Sequence, residues 1–212
     1  ELSTLFRKAF HMMIWLGTAF GLGILIVSHS AVLLVYGSEF DKSGPILSVR
    51  GVITIATFAN IILGMYLMSV DRQKSWITVL AIATLSQIPL NMFFVPFAES
   101  AYSNGALGAA FSCLITESGM AAAGIFLLPR HILNRSTVYY FLRTSLAGVG
   151  MVLGSWWLRD ELIAFPIIVG AALYLSMSYA LRLFSGEEWQ LLLETMVSVK
   201  VKIQRKLLHT TS

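Results

Sequence analysis

Long uncharged runs, broken at intervals by a few charges, constrain this chain more than any other feature. No Asp, Glu, Lys or Arg lies between Lys8 and Glu39, between Arg50 and Asp71, between Lys74 and Glu99, or between Glu161 and Arg182. Two further runs hold one charge each: Glu117 between Glu99 and Arg130, and Arg143 between Arg135 and Arg159. A helix rises about 1.5 Å per residue, so about 20 residues cross a hydrocarbon core of about 30 Å. The runs therefore predict six transmembrane helices. They are continuous rather than alternating, and a helix satisfies its backbone internally, so the chain reads as an all-α polytopic membrane protein and not as a barrel.

Composition agrees. Apolar residues make up 57% of the 212 and charged residues only 12%, against roughly 25% charged in an ordinary soluble domain. That is too little charge to cover a soluble surface, and the same numbers exclude disorder, collagen and coiled coil. Cys113 is the single cysteine, so no internal disulfide forms, and no Cys/His set has the spacing of metal ligands. The first residue is Glu1 rather than Met, and no short apolar leader with a cleavage site follows, so the chain is expected to be an internal cut from something longer.

Lys and Arg report orientation, because they concentrate in cytoplasmic loops. One set of helix ends holds Arg7, Lys8, Arg72, Lys74, Arg130, Arg135, Arg143, Arg182, Lys200, Lys202, Arg205 and Lys206, while the other has Lys42, Arg50 and Arg159. Twelve bases against three place both termini in the cytoplasm, and an even number of spans fits that placement. In the fifth span, Tyr139 and Tyr140 at one end and Trp156 and Trp157 at the other match the belts where amphipathic rings meet the lipid–water boundary. Arg143 lies within a turn of the tyrosines and snorkels outward on its stem; the alternative for this segment is an interfacial helix.

Small residues recur four apart at Gly17 and Gly21, Ala106 and Ala110, Gly119 and Ala123, and Gly150 and Gly154, a spacing that lets two helix backbones approach closely in lipid. Beyond Gly186 the pattern changes. Trp189, Leu192, Met196, Val199, Ile203 and Leu207 form a helical stripe, with Glu187 and Glu188 in the first turn and Arg205 and Lys206 near the end, as the helix dipole favours. This predicts an amphipathic helix whose Lys200, Lys202, Arg205 and Lys206 anchor it on the anionic cytoplasmic surface of the bilayer. A solvated basic tail is the plainer alternative.

Polar groups left inside hydrocarbon are costly, and they usually face a bundle interior or a wet cavity. Asn60, Gln87 and Glu117 each fall near the middle of a span. Asn91 lies one turn beyond Gln87, and Pro89 between them frees a backbone carbonyl. Glu117 is the most informative, because an ionised carboxylate there costs several kcal/mol on the insertion scale. It is protonated, paired or wet. It serves either as a relay for a proton or cation, or as hydrogen-bonding glue between helices. Asn60, Gln87 and Asn91 read first as interhelical hydrogen bonds. Arg50, at the outer mouth of the second span and just before Gly51, either receives a phosphate or diphosphate through its bidentate donors or simply reaches the headgroups. His29, between Ser28 and Ser30, reads as a packed neutral imidazole. No nucleophile, paired carboxylates, phosphate loop or metal set can be assembled, so no enzyme, metal site, organic cofactor or nucleic-acid partner is expected.

Two stretches resemble a known family. The first is Leu34-Val35-Tyr36-Gly37-Ser38-Glu39-Phe40 followed by Ser43 and Ile46-Leu47; the second runs from Pro89-Leu90-Asn91 through Pro96 to Gly105-Ala106-Leu107-Gly108-Ala109-Ala110. Together they resemble the C-terminal part of bacterial polysaccharide flippases, exporters of lipid-linked oligosaccharides such as O-antigen units. These belong to the superfamily that also holds multidrug and toxin extrusion transporters and the peptidoglycan-precursor flippase. The likeness covers residues 1–128, read as four helices of the C-terminal transporter half; 129–185 resembles the extra helix pair of many members, and 186–212 is the basic tail. Physically, Gly37 suits a left-handed helix cap, Phe40 is expected to tuck back onto the bundle, and Gly105, Gly108, Ala109 and Ala110 let the fourth helix start close to its neighbour.

The resemblance implies a bacterial inner-membrane flippase for an undecaprenyl-diphosphate-linked oligosaccharide, coupled to H+ or Na+. It implies two pseudo-symmetric halves around a central cavity, with alternating access by rocking. The N-terminal half would come from the same chain or from a partner subunit. Glu117 would sense the coupling ion and Arg50 would attract the diphosphate. Two alternatives stay open: a drug/cation antiporter of the same superfamily, and a non-transporting scaffold for glycan-synthesis enzymes.

Overall fold

The computed structural model describes residues 2–129, 132, 135–158 and 163–184. The described residues form helices and turns with no strand. The helices are α1 (Leu2–Tyr36), α2 (Ser43–Ser69), α3 (Gln73–Tyr102), α4 (Gly105–Leu127), α5 (Arg135–Ser155) and α6 (Ala164–Ala180). Four of them, α1 to α4, are long and apolar enough to cross a membrane. The α5 helix carries Arg135 and Arg143, and α6 has 17 residues, a length of about 26 Å. The tail bases Lys200, Lys202, Arg205 and Lys206 lie outside the described residues, as do the stripe from Trp189 to Leu207 and Arg130 and Arg159.

Helix ends follow local chemistry. Gly37 closes α1 with φ +85 and ψ 175, which is not the left-handed helical cap the sequence suggested but is still a region open to glycine because it lacks Cβ, and its N–H donates to Leu33 O at 3.0 Å. Phe40 does not tuck into the bundle as the sequence suggested. It is half-exposed and lies against the ring of Tyr36 at the end of α1, 5.7 Å between centroids. Asn104 caps α4 by accepting from Leu107 N at 3.2 Å, and Glu99 Oε2 accepts from Gly105 N at 2.6 Å. The same turn is stitched to the α1–α2 loop, because Asn104 Nδ2 donates to Lys42 O at 2.7 Å and Lys42 Nζ donates to Ser103 O at 3.1 Å. At the other end Arg72 Nη1 donates to Leu127 O at 2.9 Å, satisfying an orphan carbonyl of the last turn of α4.

Packing radiates from α1, which touches α2 on one side and α5 and α6 on the other; α2 in turn packs on α4, and α4 on α3. The first contact is backbone on backbone. A Cβ placed on Gly21 would lie 2.5 Å from Gly51 O, and one on Gly51 would lie 2.5 Å from Gly21 O, so only glycine fits at both positions. Gly17 meets Phe58 in the same seam, and Gly150 and Gly154 meet Met177 and Leu173 between α5 and α6. Gly108 sits against Phe94 O of α3. The other two small pairs differ: Ala110 is buried but Ala106 is exposed, and Gly119 has nothing within 4 Å.

Two apolar clusters flank α1. Phe6, Phe10 and Ile14 pack with Leu63, Tyr66 and Leu67 of α2 and Trp76 of α3. Trp15 and Ile26 pack with Tyr140, Ala147 and Met151 of α5 and Tyr174 of α6. Tyr140 is therefore a core residue, only 9% exposed and stacked on His11 at 4.0 Å, rather than a member of a boundary belt. Tyr139 and Trp157 are exposed, as a belt requires.

Candidate functional site

Asn60 and Glu117 are 57 residues apart in sequence and come together between α2 and α4. Asn60 is 6% exposed, and Glu117, midway along α4, is half-buried. The Asn60 amide donates to Glu117 Oε2 at 2.7 Å and to Glu117 O at 3.0 Å. The other amide atom, Oδ1, is buried without a hydrogen-bond partner. An orphaned acceptor in so tight a place is uncommon in native structures and calls for an explanation.

Arg50 lies within a helix rather than at its first residue. The α2 helix starts at Ser43, with Pro45 in its first turn where a missing N–H costs nothing. Arg50 therefore lies two turns into α2, about 10 Å from its start. Its side chain is exposed and runs to α4, with Nη1 3.7 Å from Cys113 Sγ. Cys113 precedes Glu117 by one turn on the same face of α4. The α2–α4 seam thus carries Arg50 with Cys113 and then Asn60 with Glu117. Sequence reasoning missed Cys113; its spacing of four from Glu117 was the available signal.

The remaining candidates stand apart. Gln87 and Asn91 are half-buried on α3, no hydrogen bond joins either of them to Asn60 or Glu117, and Asn91 Oδ1 is buried without a partner. His29 is exposed, with Nδ1 3.3 Å from Asp41 Oδ1, so it belongs to a surface contact at the end of α1 instead of a packed core.

Three of the clefts among the described residues border these helices. One, of about 560 Å³, opens between α4 and α5 over α1 and α2, with Ile14, Ala59, Leu114, Ala122, Thr137 and Phe141 among its walls. It meets a second cleft of about 410 Å³ that shares Ile55 and Phe141 with it. A third, of about 570 Å³, lies between α3 and α4 at Pro89, where Gly119 and Ala123 leave room. All three are lined mainly by apolar side chains. Among the described residues no group of three His, Cys, Asp or Glu is placed to hold a metal ion.

No family model matches this chain, and neither a curated protein nor a solved structure matches it.

Proposed function

We propose that this chain is the C-terminal part of a flippase that moves an undecaprenyl-diphosphate-linked oligosaccharide across the bacterial cytoplasmic membrane, driven by an ion gradient. The contact of Glu117 with Asn60 carries the reading. A carboxyl halfway along an apolar helix is costly in lipid, and here it is met by an amide whose own acceptor, Oδ1, is buried and unsatisfied. A purely structural bond would be better served by two neutral, fully paired groups.

In this reading all six helices cross the membrane with both termini cytoplasmic, and the short α6 is accommodated by local thinning of the bilayer. Arg50 offers its guanidinium to the diphosphate from within α2. The cleft of about 560 Å³ between α4 and α5 suits an isoprenoid chain, which needs apolar walls and no hydrogen bonds. Alternating access requires a second half, on the same chain or on a partner subunit.

The test is surface glycan in a strain whose own gene is deleted, complemented by variants at equal protein level. Glu117→Gln and Arg50→Ala are each expected to lower export about tenfold or more, the equivalent of about 1.4 kcal/mol in the limiting barrier. Wild-type export by both variants defeats both assignments. Loss of dye efflux in place of glycan would move the reading to a drug/cation antiporter, and no transport phenotype at all would favour the scaffold.

A further inference from the structure

We propose that Glu117 binds a proton and shares it with Oδ1 of Asn60, so that the two side chains close a cyclic acid–amide pair between α4 and α2. Half of that ring is already visible, since Asn60 Nδ2 donates to Glu117 Oε2 at 2.7 Å. The other half needs a donor for Oδ1, which sits on the same carboxamide carbon and is buried without a partner. An ionised carboxylate only accepts hydrogen bonds, so it leaves Oδ1 orphaned. A protonated one carries an O–H, and that single proton satisfies both the acid and the amide. The proton comes from the aqueous phase; an O–H bond forms on the carboxyl, and no other bond is made or broken.

The surroundings favour a proton over a metal cation. A hard cation gathers about six oxygens or more, whereas the neighbouring hydroxyls are turned to their own helices: Thr57 Oγ1 donates to Ile53 O at 3.1 Å and Thr116 Oγ1 to Ser112 O at 3.1 Å. Nor does a base pair with the acid among the described residues. On α2, Arg50 is directed to Cys113 of α4. On α1, His11 stacks on Tyr140 of α5 and His29 lies at Asp41. On α3, Lys74 and Glu99 stand near the two ends, and Glu99 is occupied by Gly105 N.

This deepens the coupling role given to Glu117 above by naming its ion, and the test does not depend on transport. Infrared difference spectra of the whole protein in lipid nanodiscs, taken across a pH titration, report the carbonyl stretch of a neutral carboxylic acid. The expected result is such a band that is lost in Glu117→Gln and that moves in Asn60→Leu to the frequency of an acid without a hydrogen-bonded partner. In the unmutated protein, isotope-labelled asparagine must show an amide carbonyl band that shifts in step with it, a readout free of any folding defect in the variant. Absence of a Glu117-dependent neutral-acid band, or an asparagine band that ignores it, overturns the proposal. A proton band with normal glycan export in Glu117→Gln would leave the proton site standing and remove its role in coupling. Lost export without the band would do the reverse.

Discussion

Two of the polar contacts that join helices among the described residues, one on each side of α1, are built differently. Between α1 and α6, Trp15 Nε1 donates to Ser178 Oγ at 2.9 Å and Tyr174 OH donates to Trp15 O at 2.9 Å. The groups are neutral, buried and matched donor to acceptor, and the Trp15 and Tyr174 rings pack 5.6 Å apart. Between α2 and α4, an ionisable acid meets an amide that keeps one buried acceptor unpaired. The first arrangement is what helix glue looks like in lipid, where satisfied neutral groups hold position. The second spends burial on a group whose hydrogen bonding changes with its charge. Their difference separates a contact that fixes the fold from one that has a state to change.

The comparison requires that both contacts sit in one frame, and the α1–α2 crossing is that frame. Gly51→Leu is expected to abolish the folded protein, because its Cβ meets the backbone of α1; monodisperse protein on size exclusion after extraction would refute this. Trp15→Ala comes next, with about 3–5 kcal/mol of stability lost in reversible unfolding in mixed micelles, while export per folded molecule stays at the wild-type level. Reduced export per molecule would make the α1–α6 contact functional and erase the distinction.

Smaller changes sharpen it. Tyr174→Phe removes one donor and leaves the ring in place, for an expected loss of about 0.6–1 kcal/mol in the same assay. Glu117→Gln should cost less stability than Tyr174→Phe, since an amide can still pair with Asn60, yet it should lower glycan export far more. A larger stability loss than in Tyr174→Phe, with export intact, would turn Glu117 into glue. Gly119→Ala is the mildest. Its Cβ enters open space, and replacing a glycine inside a helix is expected to raise stability by about 0.5 kcal/mol; a loss would reveal a close neighbour at the α3–α4 cleft.

How far the sequence could be read depended on the range of the interaction involved. The spacing of Gly17 and Gly21 suggested a contact face, because close approach in lipid selects small residues one turn apart, and the structure places both against α2. The identical spacing at Gly119 and Ala123 borders a cleft instead, and nothing in the local pattern separates the two cases. Tyr140 next to Tyr139 looked like part of a boundary belt; neighbouring residues on a helix point about 100° apart, so one ring faces α1 and the other faces outward.

By itself the sequence determined where apolar segments start and stop, since the cost of charge in hydrocarbon is a property of each residue and is summed along the chain. It also marked Glu117 and Asn60 as unusual for that same reason. Partnership was decided only by the tertiary structure. Nothing in a one-dimensional pattern tells Asn60 to face Glu117 rather than Gln87, or Arg50 to reach Cys113, because those choices depend on the rotation and register of α2 against α4. That register follows from packing that begins at the Gly21–Gly51 crossing and ends with Trp76 beneath Gly64 and Gly124.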